Sequence, residues 1–311
     1  MRIKEFTEII AEGIKARLEG VEITSVETLK NNGTILHGIM FKRNEDNIAP
    51  TLYMEYWFNL FRKYKLSTDM ILENVIRSYE TLPALELPDM NSWLSDPNLL
   101  SKISLRLVNL NANRKLIESR GLVYHPIGTT GLMCLFYVAV ENEGTEIGEL
   151  ALTERLMEVY LPKVEGAEAL YHEVVSRMSA KDACFDNASK LANKTIQARN
   201  FNVPLLPDIE YLYILTNESR NFGATLILLD EVREILAEHF AGRVVTILPS
   251  SVHELLILPT CERENIKLLR DMVIEVNELL NQDDVLATDV FHYDTSTGIL
   301  EKAIESEETE E

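Results

Sequence analysis

The chain begins with a helical hydrophobic period that changes to a strand period. Residues 2–19 carry apolar side chains at helical spacing, and Gly20 can end the helix. Residues 21–30 and 34–41 alternate apolar and polar positions, which predicts two strands. Between them, Asn31-Asn32-Gly33 predicts a tight turn, because Asn and Gly tolerate positive φ.

The next stretch extends this pattern into one unit. Residues 48–54 predict a third strand, and residues 55–79 return to helical spacing with a break where Ser67 or Thr68 can cap a second helix. The order is therefore α-β-β-β-α. Three prolines between residues 82 and 98 then mark a boundary. We predict the following organisation: an N-terminal α+β unit over 1–82, a larger α+β domain over 99–303 and a disordered acidic tail over 304–311.

The larger region predicts helices and strands in mixed order. Residues 99–119 read as a helix broken near 109–111, and Thr153 is placed to cap another helix. Further strands are predicted over 122–124, 132–141 and 146–152, and further helices over 166–178 and 189–198.

A ββαββ segment follows. Strands are predicted over 211–215, 223–229, 244–248 and 253–258, a helix over 231–240, and a longer helix over 263–281. Strands joined by short polar loops favour antiparallel pairing with a helix on one face. The predicted fold class is therefore α+β, with mainly antiparallel sheets and helices packed on one face.

Charge narrows the function classes. The chain has 50 acidic and 30 basic residues, a net charge of -20. Nucleic-acid binding draws affinity from Lys and Arg, and anionic membranes attract the same residues, so neither is expected as the main partner. A protein partner is favoured instead.

The cysteines and the N-terminus predict a cytoplasmic location. Cys134, Cys184 and Cys261 are widely spaced and form no CxxC pair, which fits a reducing compartment and gives no zinc ligand set. Cys134 lies in an apolar run and is expected to be a buried small hydrophobe. The N-terminus lacks the apolar core of a signal peptide, and no apolar stretch is long enough to span a bilayer.

None of the candidate catalytic or metal-binding motifs in the sequence is complete. His172-Glu173 and His253-Glu254 each begin like HExxH, but the second histidine is absent, so no metal is predicted. No Walker or dinucleotide glycine motif occurs, so no cofactor is predicted. Ser251 and His253 are two residues apart on a predicted strand, without the glycines of a hydrolase elbow.

Two polar loops, 216–221 and 249–254, remain as candidate ligand or partner sites. Each is expected to join paired strands, so both could lie at one end of a sheet. Their candidate residues are Asn217, Glu218, Ser219, Arg220, Asn221, Ser250, Ser251, His253 and Glu254.

Several segments together resemble a known family. They are Lys30–Gly33, Leu36–Gly38, Asn47–Tyr53, Arg106–Asn109, Leu215–Ala224, Leu248–Glu254 and His292–Asp294. The combination resembles a bacterial family known only as a domain of unknown function, common in anaerobic Gram-positive gut bacteria. The resemblance covers roughly residues 3 to 303 and implies one integrated unit in which the two polar loops recur. It implies no catalytic residue.

Three functional hypotheses follow. The first is a cytoplasmic, non-enzymatic binding or regulatory protein that acts through protein–protein contact. The second is a hydrolase or small-ligand enzyme that uses the two polar loops. The third is an acidic nucleic-acid mimic or toxin-neutralising protein, which would require acidic residues clustered on one face.

Overall fold

The computed structural model describes residues 1–43, 49–82, 87–142, 145–198, 204–205, 207, 209–260 and 265–304. Some sequence predictions lie outside these ranges: the acidic tail beyond Ile304, Ile48 of the third predicted strand, Asn47 of the family-like segment, Pro83 and Cys261. Among the described residues, no helix combines the length and the apolar character needed to cross a bilayer. The chain forms two compact units, one built from the described residues of 1–96 and 139–149 and the other from those of 97–138 and 150–311.

The first unit has the predicted α-β-β-β-α order. Its elements are α1 (Ile3–Lys15), β1 (Val21–Leu29), β2 (Ile35–Arg43), β3 (Thr51–Tyr53), α2 (Glu55–Tyr64), α3 (Thr68–Glu80) and α4 (Met90–Leu94). The three strands form an antiparallel sheet in the order β1-β2-β3. At the hairpin, Asn32 and Gly33 take the positive φ values that the turn sequence predicts.

Apolar faces of helices and strands meet in the core of this unit. Phe6 of α1 is fully buried and contacts Phe58 and Phe61 of α2, while Phe41 of β2 stacks on Tyr79 of α3. The helical and strand periods read from the sequence are therefore the periods that bury these side chains. Ser67 caps α3 by accepting a hydrogen bond from the backbone N–H of Met70 at 3.2 Å, as its position predicts.

The second unit is built on two antiparallel sheets. Its helices are α5 (Leu110–Arg120), α6 (Glu154–Tyr160), α7 (Gly166–Val175), α8 (Ala188–Ala198), α9 (Asp230–Phe240) and α10 (Ile266–Asn277). The smaller sheet contains β4 (Ile103–Asn109), β6 (Leu132–Asn142) and β5 (Tyr124–Pro126) in that order, with β7 (Thr145–Ala151) also paired to β6. The end of β6 from residue 139 and β7 up to residue 149 are counted with the first unit. The larger sheet contains β13 (Ile299–Lys302), β12 (Phe291–Asp294), β10 (Val244–Ser251), β11 (Glu254–Pro259), β9 (Tyr213–Asn217) and β8 (Ala183–Asn187) in that order. The α+β class with mainly antiparallel sheets is confirmed.

The predicted helix over 99–119 is wrong in its first half. Residues 99–102 form a short 3₁₀ helix, residues 103–109 form strand β4, and the α-helix covers 110–120. Ile103, Leu105 and Leu107 are buried while the residues between them are partly exposed, which is a strand period of two. The side chain of Asn109 caps α5 by accepting from the N–H of Ala112 at 2.9 Å, so the predicted break marks a strand-to-helix change.

The predicted strand over 223–229 is also wrong. Residues 223–228 form a 3₁₀ helix that packs against β4. The buried hydroxyl of Thr225 accepts a hydrogen bond from the N–H of Leu107 at 3.1 Å and fixes the segment there. A continuous apolar run does not distinguish a strand from a buried helical turn. The ββαββ segment therefore contains one strand fewer than predicted.

The β10–β11 hairpin is tighter than the predicted polar loop over 249–254. Strand β10 continues to Ser251, and only Val252 and His253 form the turn. His253 therefore lies in a turn rather than on a strand, which corrects its predicted position.

Helix α10 packs on the larger sheet with one side only. Ile266 and Val273 of the helix join Leu248 of β10 and Val290 in a buried cluster. The opposite side of α10 is left facing outward.

Candidate functional site

The first of the two predicted polar loops, 216–221, is held by its own side chains. The Asn217 amide accepts hydrogen bonds from the Asn221 N–H at 2.9 Å and the Ser219 hydroxyl at 3.1 Å, and it donates to the Asn221 carbonyl at 2.8 Å. Such bonds replace secondary structure in a tight loop. Glu218 and Arg220 are exposed on its outer side.

The structure brings this loop against the β10–β11 turn. The Thr216 hydroxyl donates to the His253 carbonyl at 2.8 Å, and the Phe222 N–H donates to Nδ1 of His253 at 3.2 Å. Gly223 lies so close that a Cβ there would be 2.6 Å from the His253 carbonyl oxygen and 2.8 Å from the Asn217 nitrogen. Only a glycine fits between these backbone atoms. We call Thr216, Asn217, Phe222, Gly223, His253 and Asp284 the loop joint.

Both ring nitrogens of His253 are engaged. A backbone N–H can only donate, so Nδ1 accepts from Phe222 and the proton lies on Nε2, which faces the Asp284 carboxylate at 3.1 Å. Asp284 is also held from its other oxygen by the Asn281 amide at 2.9 Å. The histidine therefore bridges two segments and has no nitrogen left to take a proton from a nucleophile.

The serine–histidine arrangement suggested by the sequence is not formed. Ser251 is buried, and its hydroxyl accepts from the backbone N–H of His253 at 3.1 Å rather than donating to the ring. A nucleophilic serine needs its hydroxyl on a ring nitrogen of the base. Glu254 is half-buried at the start of β11, opposite Ser251. Ser250 lies in β10, and its side chain is outside the described part.

The sequence did not predict a role for two residues, one in the joint and one beside it. Asp284 lies in a loop thirty-one positions after His253, and no sequence motif links the two residues. Arg106 of β4 has its guanidinium 3.7 Å from the ring centre of Phe222 and 3.8 Å from that of Tyr137. A guanidinium stacked between two rings favours a fixed position for Phe222, whose φ of 54° is left-handed. The alternation of apolar and polar residues around Arg106 is the sequence signal that could have placed this residue on a strand.

The outer face of α10 is apolar and exposed, unlike the polar, internally hydrogen-bonded loop joint. Four exposed apolar residues follow one another at spacings of four, four and three and form a stripe, which we call the α10 stripe: Leu268, Met272, Val276 and Leu279. Their exposed fractions are 56%, 49%, 45% and 87%. Leu279 lies in the turn that follows the helix. Contiguous exposed apolar side chains mark interaction sites more often than scattered ones do.

Carboxylates border the α10 stripe on one side. Asp271, Glu275 and Glu278 each precede a stripe residue by one position, and all three are exposed. Lys267 precedes Leu268 in the same way at the start of the helix. The border therefore carries a net negative charge along most of its length.

Other reactive groups offer little chemistry. Burial raises the pKa of the Cys134 thiol, so this cysteine is an inert core residue, as predicted. Within the described ranges, no group of three or more His, Cys, Asp or Glu side chains is placed to hold a metal ion.

Comparison with known proteins gives a family match over residues 3–295, to a family described as being of unknown function (DUF5688). No curated protein and no solved structure matches the chain.

Proposed function

The chain belongs to DUF5688, a family of unknown function, and from the exposed face of α10 we propose that it is a binding protein that docks a basic, amphipathic helix of a partner protein. The α10 stripe is the observation that carries this proposal. The proposal agrees with the expectation of protein–protein contact from composition.

The apolar part of the proposed contact comes from the α10 stripe. Burying a large aliphatic side chain contributes about 1.5–3 kcal/mol when it is complete. Leu268, Met272, Val276 and Leu279 each leave nearly half or more of their surface in water. A partner helix with apolar residues at the same spacing would cover all four together. Methionine in such a surface adapts to different partner shapes.

Charge selects the kind of partner. Asp271, Glu275 and Glu278 border the stripe, and the whole chain carries a net charge of -20. Lysines and arginines beside the partner's apolar face would lie against this border. An antiparallel pairing of α10 with a second copy would instead place these carboxylates against their own counterparts, which is unfavourable.

The test uses a synthetic helix as the probe. Fluorescence anisotropy would compare a labelled amphipathic peptide of leucine and lysine with a leucine–glutamate peptide of the same pattern and with a scrambled leucine–lysine peptide. We expect the amphipathic leucine–lysine peptide to bind most tightly, because only it matches both the stripe and its border.

Variants locate the binding. Leu268→Gln with Met272→Gln removes apolar surface without adding charge and should weaken binding roughly tenfold or more. Ile235→Gln is the matched control, because Ile235 is an exposed apolar residue on α9. Equal binding of the amphipathic and scrambled peptides, or equal loss in both variants, would refute the proposal. Sedimentation that shows a dimer abolished by the double variant would identify a second copy as the occupant instead.

The hydrolase hypothesis has less support. It needs His253 as a base, and both of its ring nitrogens are already hydrogen-bonded. The loop joint also lacks a serine hydroxyl on the ring among the described side chains.

A further inference from the structure

An apolar groove opens on the second unit beside strand β5. Its volume is about 730 Å³. Its lining includes four apolar residues that we call the floor: Leu122, Val123, Met157 and Leu161. All four side chains are at most 9% exposed. Sites for small organic molecules have volumes of about 300–1,000 Å³ and mainly apolar linings. The groove therefore has the size and the floor of a small-ligand site.

Backbone hydrogen bonds set the position of the groove. The N–H of Glu154 donates to the carbonyl of Gly121 at 2.8 Å, and the N–H of Val123 donates to the carbonyl of Leu152 at 3.0 Å. These bonds hold the first turn of α6 beside the residues that lead into β5. Tyr124 and Pro126 of β5 line the groove. The groove therefore lies between α6 and a segment that backbone hydrogen bonds tie to it.

Two carboxylates lie at the rim. Glu154 and Glu158 of α6 both line the groove, are exposed, and are one helical turn apart. Within the described part of the chain, neither carboxylate forms an ion pair. The N-terminal end of α6 stabilises a negative charge at Glu154, but this effect fades beyond the first turn. Like charges at this spacing repel each other, so the pair opposes helix stability slightly.

We propose that this groove binds a small organic cation with an apolar body. The apolar body covers the floor at Leu122, Val123 and Met157, and the ammonium group lies at the rim beside Glu154 and Glu158. The cation relieves the repulsion between the two carboxylates, and an anion of the same shape increases it. The inference uses no residue of the α10 stripe and is independent of the proposed function.

The test compares three probes with the same apolar body. Phenethylamine carries a positive charge, phenethyl alcohol is neutral and hydrocinnamate is negative at neutral pH. Chemical-shift titration of the full chain should give the tightest binding for phenethylamine, roughly threefold to tenfold tighter than for the alcohol, as expected for solvent-exposed ion pairs. Hydrocinnamate should bind most weakly. The preference should shrink as salt is added, because salt screens exposed charges.

Two sets of variants separate charge from shape. Glu154→Gln with Glu158→Gln should bring the amine-to-alcohol affinity ratio close to one while leaving the affinity for the alcohol unchanged. Tyr124→Ala should weaken binding of all three probes by a similar factor, because Tyr124 contributes surface and no charge. Glu234→Gln on α9 is the control for a lost negative charge outside the groove and should change neither quantity.

Three results would overturn the inference. The first is a set of equal affinities for the three probes. The second is a charge preference that survives the double glutamine variant. The third is a set of shifts located away from α6 and β5. Weak binding to the α10 stripe would affect none of these measurements, since the shifts identify the residues contacted.

Discussion

The loop joint and the α10 stripe are opposite kinds of surface in the same unit. The joint is rich in polar side chains, yet the hydrogen-bonding groups of Asn217 and His253 are used within the protein. The stripe has no polar side chain, yet it leaves four large apolar residues in water. The density of polar residues made the two loops the candidate sites in the sequence. In the structure, the exposed apolar surface is what remains available for a partner.

This difference has a physical basis. A polar loop must satisfy its own backbone groups, and Asn, Ser and His side chains near it are often used for that purpose. An exposed aliphatic stripe has no such internal use, because covering it is favourable and leaving it open is not. The joint should therefore contribute to the stability of the protein, and the stripe should contribute to binding.

The largest expected effect is at Gly223. Gly223→Ala places a Cβ against the His253 carbonyl and the Asn217 nitrogen, both backbone atoms that cannot move alone. We expect a loss of about 3 kcal/mol in the free energy of unfolding, measured by urea denaturation. Gly148→Ala is the control, because no atom lies within 4 Å of its Cβ position. Equal stability of the two variants would show that the joint is not closed.

His253→Ala should produce the next largest loss. It removes the acceptor for the Phe222 N–H and the partner of Asp284. We expect about 2 kcal/mol of destabilisation, with unchanged affinity for the leucine–lysine probe. In a double-mutant cycle with Asp284→Ala, the two losses should be less than additive because the residues share one interaction. Strict additivity, or a lost affinity for the probe, would contradict the division between joint and stripe.

His125 provides a third polar contact with a smaller, pH-dependent effect. Its ring stacks on Tyr171 at 4.2 Å, and burial, assisted by nearby His172, lowers the pKa of His125. The unfolded chain therefore binds this proton at a higher pH than the folded chain does. The contribution to stability is complete above the ordinary histidine pKa and is lost as the pH falls through it.

His125→Phe should keep the stacking and remove that pH dependence. The drop in unfolding free energy from about pH 7.5 to about pH 5.5 should be smaller in the variant than in the parent protein. Urea denaturation at both pH values measures it, with His239→Phe at an exposed histidine of α9 as the control. An unchanged drop would mean that the stacked histidine does not resist protonation.

The smallest expected change in stability is on the α10 stripe. Leu268→Gln with Met272→Gln should alter the unfolding free energy by less than about 0.5 kcal/mol, because surface substitutions in a helix are usually tolerated. The same variant should lose affinity for the leucine–lysine probe. A large loss of stability would show that these side chains belong to the core of the unit.

Local periodicity was sufficient to predict the α-β-β-β-α order of residues 3–80. Phe6 and Ile10 recur at helical spacing, and the Asn32-Gly33 turn fixes the hairpin between two alternating strands. In the second unit, the alternation of Ile103, Leu105 and Leu107 was read as a helix although its period is two. The run after Gly223 has no period, and its conformation depends on the long-range bond from Leu107 to Thr225.

The site could be predicted only in part. The two polar loops were found from their composition, and the strand pairing of β9 with β11 brings them together. The bond between His253 and Asp284 could not be found, because it depends on tertiary structure. The α10 stripe was part of a predicted helix, but which apolar residues face the sheet depends on where β10 lies. Residues 139–149 give no local sign that they belong with the first unit.

The most direct test is amide hydrogen exchange of the full chain with and without the amphipathic leucine–lysine helix. If the α10 stripe is the binding surface, exchange should slow in the segment from Ile266 to Leu279 and remain unchanged in the loop joint. Slowed exchange at residues 216–223 or 251–254 with no change in α10 would contradict the proposed role of the stripe. It would identify the polar loops as the binding site.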